Sequence, residues 1–566
     1  LDGAILVISA VEGVQAQTRI LLRTLRRLRI PTLIFVNKID RPGARDEQLL
    51  QRIGERLTPA IVPMGSTHDL GTRDAGFSSY ADFSPQLIDL LADHDETFLD
   101  AYVNDETSVS YERLRDGLVA LTGKALAHPV FFGSAITGAG VDALVAGIRE
   151  LLPLAENEPD GPVSGTVFKV ERGPAGEKIG YVRMFSGTVR TRDRVCLDKG
   201  EGKVTAISVF DRGGLADRRS SVSAGEIGKL WGLGDVRIGD TIGEPRTNLD
   251  RHYFSPPSLE TIVSPNRPAE KGALHAALTQ LAEQDPLISL RQDDIRQEIF
   301  VSLYGEVQKE VIQATLADEY GLDVSFRETT TICIERLDGT GSAVELIAKA
   351  PNPFLATVGL RIEPAQVGAG VTFQLGIELG SLPLAFIKAV ESAVEETLRQ
   401  GIHGWEVPDC TVTLAQSGYW ARQSSSHGVF DSNMSSTAGD FRNLTPLVLM
   451  TALRQAGTTV HEPMHHFRLE LPADTIGAAL PVLTRLRAVP QAPTVLASTG
   501  VLEGDIPAAQ VHQLELRLPG LTRGEGVLES AFDHYRPVIG SVPSRPRWDH
   551  NPLNRKEYLL HVVRKV

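Results

Sequence analysis

"LIFVNKID" occupies residues 33–40, and its reading decides what kind of domain opens the chain. Four apolar residues end abruptly in Asn37 and Lys38, with Asp40 two places further on. An apolar run without alternation suits a strand covered on both faces of a parallel sheet. The same pattern occurs at 4–11, "AILVISAV", and in "PVFF" at 129–132. Helical periods fall between and after them, at 16–29 and at 141–152, the latter with Val141, Leu144, Val145, Ile148 and Leu152 on one stripe. Alternating strand and helix imply an α/β domain from residue 1 to about 154. Asn37 to Asp40 then stand at the carboxyl edge of the sheet, where open α/β folds bind ligands.

The residue types at that edge fit guanine. A carboxylate at Asp40 accepts from the base N1–H and 2-amino group together, whereas adenine would leave it desolvated and unpaired. A site built on such bonds rejects the wrong base by ~10⁴ or more. Asn37 would tie neighbouring loops together, and the Lys38 stem would lie over the ring. N-K-x-D fixes only three letters, and an ordinary turn is the alternative reading. Gly133-Ser134-Ala135 strengthens the ligand reading, because it follows the next strand and can offer a backbone N–H to the guanine O6. No G-x-x-x-x-G-K-[ST] loop for the phosphates occurs in the 566 residues. The chain opens on a turn and a buried strand, so the reading is of a domain whose first part is missing.

Further along, the character changes. Residues 163–246 hold short glycine-punctuated strands with no helical period, which implies a small closed β-barrel. Residues 258–326 read strand, helix, strand, strand, helix, strand. Residues 465–534 repeat the order, with "TVLASTGV" and "LEGDIPA" as its two middle strands. Two such split βαβ units imply two similar small α/β sandwiches. Between them lie strands, helices at 383–400 and 440–456, and the polar stretch "QSGYWARQSSSHGVFDSNMSSTAGDF" from Gln416 to Phe441. A loop of that length inside a compact domain is usually functional or disordered. Tyr419 and Trp420, with His427, Phe430 and Met434 as further candidates, are the groups able to stack on exposed bases.

A net charge of −14 argues against a protein that binds nucleic acid over its whole surface, and leaves two local basic runs to weigh. "RTLRRLR" at 23–29 reads as the solvated face of a helix above a stripe of Leu21, Leu25 and Leu28. The run from Arg536 to Lys556 reads equally as an RNA contact or a solvated surface. No apolar stretch approaches the length that spans a bilayer. Cys196, Cys333 and Cys410 lie far apart and outside any C-x-x-C spacing, which points to structural thiols. "HEPMHH" places His461 and His465 at a metal-like spacing, but Pro463 between them favours an ordinary strand entry. "GLGDVRIGD" at 232–240 lacks a following helix and reads as a hairpin turn.

Taken in order, these segments resemble elongation factor G and its relatives. "LDGAILVISAVEGVQAQTRILLRTLRRLRIPTLIFVNKIDRPG", "LYGEVQKEVI" at 303–312, "PPSLETIVSPN" at 256–266, "PNPFLATVGL" at 351–360, "GWEVPDC" at 404–410 and "DFRNLTPLVL" at 440–449 are most similar to ribosomal-protection tetracycline resistance proteins. The similarity runs through essentially the whole chain. It implies a multidomain α/β and β fold. A P-loop-type G domain remnant occupies 1–154, with its N-terminal part missing, and a translation-factor β-barrel 163–255. Ferredoxin-like sandwiches at 256–330 and 459–540 flank a domain of the domain-IV type at 331–458, and a basic tail or helix follows at 541–566.

The resemblance also implies a cytoplasmic, monomeric GTPase. Its partners would be GTP and the ribosome, through rRNA and ribosomal proteins of both subunits, with no membrane. The base would be read by Asn37, Lys38, Asp40, Ser134 and Ala135. The phosphate loop, the Mg2+ ligands and the water-positioning residue would precede Leu1, so no residue is assigned a catalytic role and this chain alone would be inactive. Ser417, Gly418, Tyr419, Trp420, Ala421 and Arg422 would form the start of the loop that meets the ribosome and the drug site. Hydrolysis would release the factor after the drug has been displaced. An elongation factor G translocase is a second reading, disfavoured by "LYGEVQKEVI" and the long loop. A non-catalytic ribosome-binding module is a third.

Overall fold

The computed structural model describes residues 2–563 apart from 81–84, 105–109, 154–157, 199, 211–215, 235, 245–256, 286, 294–295, 379, 422–434 and 497–498. It divides into two compact units. The first comprises Leu1–Phe168, Arg172–Val236 and Asp240–Arg246, and the second Lys169–Glu171, Arg237–Gly239 and Thr247–Val566. Among the described residues no helix is long and apolar enough to cross a membrane.

The first unit opens with six strands: β1 (Ala4–Ser9), β2 (Thr32–Asn37), β3 (Ile61–Pro63), β4 (Gly65–His68), β5 (Gly76–Ser79) and β6 (His128–Phe132). Four of them make a parallel sheet in the order β1-β2-β6-β3, and β4 with β5 forms a separate hairpin. Among the described residues six helices accompany them: α1 (Ala16–Arg27), α2 (Glu47–Arg56), α3 (Pro85–His94), α4 (Glu96–Asn104), α5 (Tyr111–Gly123) and α6 (Val141–Leu151). Strand β2 shows why its sequence lacks alternation. Ile34 and Val36 join one apolar cluster with Leu22, Leu49 and Ile53, while Leu33 and Phe35 join another with Leu91, Leu118 and Leu144. Both faces are buried, as an unbroken apolar strand demands.

Two expectations need correction here. Among the described residues strand β1 pairs with β2 alone and is covered on one face only. Leu6 and Ile8 are buried, but Val7 is 56% exposed and Ile5 also faces out. On α1, the face turned to the sheet carries Thr18 and Leu22, whereas Leu21 and Leu28 point outward. One residue is 100° of helix, so the stripe was misplaced by a single position.

Among the described residues ten short strands from β7 (Ser164–Arg172) to β16 (Thr241–Gly243) follow. They form a six-stranded sheet and two two-stranded ribbons, the all-β segment that the glycine spacing implied.

In the second unit, β17 (Leu259–Pro265), α7 (Lys271–Gln284), β18 (Ser289–Asp293), β19 (Glu298–Leu303), α8 (Glu306–Tyr320) and β20 (Val324–Phe326) reproduce the expected order. They form a sheet running β18-β19-β17-β20, with the short β21 (Thr330–Thr331) beside β17. Next come β22 (Ile334–Leu337), β23 (Gly341–Glu345), β24 (Ala356–Pro364), β25 (Val371–Leu375), α9 (Leu384–Leu398), β26 (Cys410–Tyr419) and α10 (Ala438–Ala456). The last group is β27 (Thr458–Pro472), α11 (Ile476–Arg485), β28 (Val489–Pro490), β29 (Thr494–Leu496), β30 (Thr499–Pro507), α12 (Ala508–Thr522) and β31 (Val527–Pro537), and α13 (Arg555–Val563) closes the chain. Strand β30 runs unbroken through 499–507 and β29 folds back onto its start, so the break falls before Thr499 and not after Val501 as the sequence suggested. Burial pushes the Cys333 and Cys410 thiols up to about 12, which makes both inert, while Cys196 is exposed.

The basic run near the C-terminus is used internally. Arg536 meets Glu462, Arg545 meets the buried Glu260, and Arg555 makes a two-pronged contact with Glu345. Arg545 also lies over the rings of Trp405 and Trp548, at 4.6 and 5.1 Å. The segment 543–548 is gripped by the turn at 400–405: Arg545 N donates to the His403 carbonyl at 2.8 Å, and Trp405 Nε1 to that of Pro543 at 2.9 Å. Gly404 has φ +84°, and a Cβ there would stand 2.0 Å from the Arg545 carbonyl oxygen, so only glycine fits.

One buried carboxylate shapes that turn. Glu335, on β22, accepts from Ile402 N (2.8 Å), His403 N (2.8 Å), Trp405 N (3.0 Å) and Thr458 Oγ1 (2.7 Å). It has no exposed surface. Removing it would strand three backbone donors in the interior, at roughly 1–3 kcal/mol for each unsatisfied group. Glu335→Ala is therefore expected to destabilise the second unit by about 3 kcal/mol or more. Urea unfolding followed by tryptophan emission reads it, since Trp405, Trp420 and Trp548 all lie in that unit. An unchanged midpoint would show that water satisfies those donors.

Candidate functional site

Strands β2 and β6 are parallel neighbours, with Val36 opposite Phe132, so the loops after them start side by side. Three bonds stitch them together: Gly133 N to the Val36 carbonyl (2.9 Å), Ile39 N to the Gly133 carbonyl (3.3 Å), and Ala135 N to Asn37 Oδ1 (3.0 Å). Asn37 thus ties the two loops. Ser134 is buried, and its hydroxyl accepts from Ile136 N and Thr137 N, which rounds off the second loop. Gly140, at the start of α6, has φ +71°, and a Cβ would come within 2.0 Å of the Phe132 carbonyl oxygen.

Lys38 adopts φ +72°, its amide held by Asn37 Oδ1 at 2.8 Å and its Nζ by Glu12 at 3.1 Å. A lysine in the left-handed region is uncommon, and such strain gathers at ligand sites. Asp40 is the telling residue. Its carboxylate is 10% exposed, Oδ2 lies 3.9 Å from Arg41 Nε, and the buried Oδ1 has no hydrogen-bond partner among the described residues. A buried carboxylate oxygen without a donor is costly unless a ligand supplies one. The N1–H and 2-amino group of guanine are donors of the right kind, so these residues fit the base. Asn37, Lys38, Asp40, Ser134 and Ala135 are brought together as the sequence suggested. The Ala135 N–H is engaged by Asn37, so a guanine O6 would share it.

The second site is the end of β26. The middle sheet of the second unit runs β23-β24-β26-β25. Cys410, Val412 and Leu414 of β26 are buried in its core with Phe441, Leu444 and Val448 of α10. The strand does not stop at Leu414. After an irregularity at Gly359/Leu360 it continues against β24, pairing Gln416 with Gly359, Ser417 with Val358, Gly418 with Thr357 and Tyr419 with Ala356. The expected loop therefore begins later than supposed: Gln416 to Tyr419 are ladder. Tyr419 and Trp420 are 38% and 41% exposed. Tyr419 meets Phe386 of α9 edge-on at 5.8 Å, and Phe386 stacks at 4.8 Å on the fully buried Phe441. Ala421 is exposed beside them. Arg422, His427, Phe430 and Met434 lie outside the described residues.

Phe386, Leu355, Ser436 and Asp440 also belong to this site, and the sequence reading passed over them. One signal was present: Thr437-x-x-Asp440 before an apolar run is a capping box. It forms here, with Thr437 N donating to Asp440 Oδ2 at 2.8 Å. His461 and His465 sit on strand β27. His461 Nδ1 lies 3.0 Å from the Thr459 carbonyl and His465 Nε2 lies 3.1 Å from Ser258 Oγ, in keeping with a strand entry.

Comparison with known proteins identifies the family of the chain. Residues 1–154 match the elongation factor Tu GTP binding domain, 254–328 elongation factor G domain III, 323–457 elongation factor G domain IV, and 459–546 the elongation factor G C-terminus. An oxytetracycline resistance protein of Streptomyces rimosus is 48% identical over all of this chain and 86% of its own length. The chain belongs to the ribosomal-protection tetracycline resistance proteins. The tetracycline resistance protein TetM of Streptomyces lividans is 40% identical over 95% of this chain and 83% of its own, and TetP of Clostridium perfringens 37% over 100% and 86%. A solved Thermus thermophilus structure shares the fold, with a TM-score of 0.55 and 21% identity over 100% of this chain and 86% of that one. The family's GTP-binding domain uses GTP with Mg2+.

In the protein expressed from its complete coding sequence, Asp40→Asn should weaken GTP binding and admit xanthosine triphosphate, whose 2-carbonyl accepts from the new side-chain amide where the guanine 2-amino group would be repelled. Nucleotide competition reads the change, and an unaltered GTP affinity would take Asp40 out of the base site.

Proposed function

We propose that this protein docks on the ribosome in its GTP form and displaces tetracycline from the decoding site with the end of β26, and that hydrolysis then releases it. The division of labour follows the segments. Residues 1–154 hold the nucleotide, 163–255 form the barrel, 256–330 and 459–540 are the two sandwiches, and 331–458 carry the displacing tip. We assign the base to Asn37, Lys38, Asp40, Ser134 and Ala135, and the drug-site contact to Ser417, Gly418, Tyr419, Trp420 and Ala421, with Arg422 beyond them. The protein works as a cytoplasmic monomer against rRNA and ribosomal proteins of both subunits.

The observation that carries this reading is a strand whose buried half is core and whose far end presents two adjacent aromatic side chains. Tetracycline is held on RNA by stacking and by magnesium. Eviction therefore needs a stiff apolar group that takes its place or shifts a base. A flexible tip would lose much of its binding energy in ordering itself. The ladder to Ala356 and the Phe386 contact remove that cost for Tyr419 before the ribosome is met. GTP, when bound, supplies the free energy that makes release irreversible. None of the 566 residues is assigned to its phosphates or to magnesium, and as a free polypeptide they should turn over no GTP.

Replacing both Tyr419 and Trp420 by Ala in the complete protein should abolish tetracycline protection in a susceptibility assay while leaving ribosome-stimulated GTP hydrolysis within about twofold, because the change lies outside the nucleotide unit. Full protection by the double variant would move the displacing group elsewhere.

A further inference from the structure

Trp420 lies one residue past the last rung of the β24–β26 ladder, so β24 does not fix its direction. Ser436 does. Its hydroxyl accepts from Trp420 N at 2.7 Å and donates to the Leu355 carbonyl, and its own N–H donates to the Trp420 carbonyl at 3.1 Å. The side chain is buried. A serine hydroxyl has one proton to give, and here it is given while a lone pair is also filled. Leu355 is fixed in turn, because its N–H donates to Asp440 Oδ1 at 3.2 Å, and Asp440 is the carboxylate of the capping box on α10. Three separate pieces of chain, at 355, 420 and 436, are thus joined through one hydroxyl.

We infer that Ser436 is a positioning residue for drug displacement, acting through Trp420 by fixing the direction in which the aromatic pair leaves the strand. The inference rests on the reading of Tyr419 and Trp420 given above. Ser436 need not touch the drug. Its loss leaves the backbone contact in place but frees the Trp420 N–H and the Leu355 carbonyl. The aromatic tip then has to be ordered on the ribosome instead of beforehand.

The test uses the complete protein with Ser436→Ala, Ser436→Thr and Trp420→Ala, singly and with Ser436→Ala added to Trp420→Ala. Ser436→Ala should cut the protection measured as inhibitory tetracycline concentration about tenfold, the size expected for one buried hydrogen-bonded group. Ser436→Thr, which keeps the hydroxyl, should recover most of it. The ribosome concentration for half-maximal GTP hydrolysis and its maximal rate should not change. Trp420→Ala alone should retain part of its protection through Tyr419, and adding Ser436→Ala should cost nothing more. Full protection by Ser436→Ala overturns the inference, and so does an undiminished extra loss in the Trp420→Ala background. A parallel fall in ribosome-stimulated GTP hydrolysis also overturns it, since that is what a merely structural serine would show. If Trp420→Ala is impaired and Ser436→Ala is not, the inference alone fails. If replacing Tyr419 and Trp420 together has no effect, the reading of the tip fails and this inference with it.

Discussion

The second unit depends on a single buried carboxylate. Glu335 enters the interior on β22 and collects four donors, three of them backbone amides of one tight turn. Gly401 is part of the arrangement, because a Cβ there would stand 2.6 Å from the carboxylate. A turn so fixed offers carbonyls in defined directions, and Arg545 and Arg547 of the C-terminal segment take them. Arg545 then reaches Glu260 on β17, which also binds Arg291. Burial pushes the Arg545 guanidinium below its ordinary value, with Glu260 opposing the shift. Breaking such a pair leaves an uncompensated charge inside, which costs more than the pair itself contributes. The segment is thereby committed to one path across three successive parts of the chain.

That path ends at the tip. Helix α13 places Tyr558 in the core beside α10, its hydroxyl donating to the Asn443 carbonyl at 2.9 Å, and Arg555 donates to the Pro351 carbonyl at 2.8 Å. Pro351 belongs to the connection between β23 and β24 that also contains Leu355, the residue Ser436 holds. The aromatic pair on β26 is therefore braced from the core through Phe386 and Phe441, from the ladder through Ala356, and from the neighbouring connection through Leu355. Stiffness at an exposed end is what displacement of a stacked ligand asks of a protein.

Much of this was legible in the sequence, and the exceptions share a cause. Local period identified β2 and β6, whose apolar runs need cover on both faces. It also identified the two repeated strand and helix orders, and N-K-x-D with G-S-A marked two loops that the fold sets side by side at the sheet edge. Where a partner far along the chain decides, the sequence was silent. Gln416 to Tyr419 carry no strand signal of their own and are strand because β24 lies alongside. The basic stretch from Arg536 showed its charge but not Glu462, Glu260 and Glu345, which consume it. Strand β1 has the composition of a buried strand yet shows Val7 on an open face among the described residues. Glu335 looked like any charged residue between apolar neighbours, since a carboxylate's burial depends on donors that only the fold assembles.

The central claim is that occupancy by a preset aromatic tip evicts the drug, with hydrolysis serving only to release the protein. The most direct measurement follows labelled tetracycline on purified ribosomes after addition of the complete protein with a non-hydrolysable GTP analogue. Loss of bound label at the rate seen with GTP, and in proportion to protein bound, is the predicted result. Label that stays until GTP is hydrolysed would contradict the account and assign the eviction to the hydrolytic step.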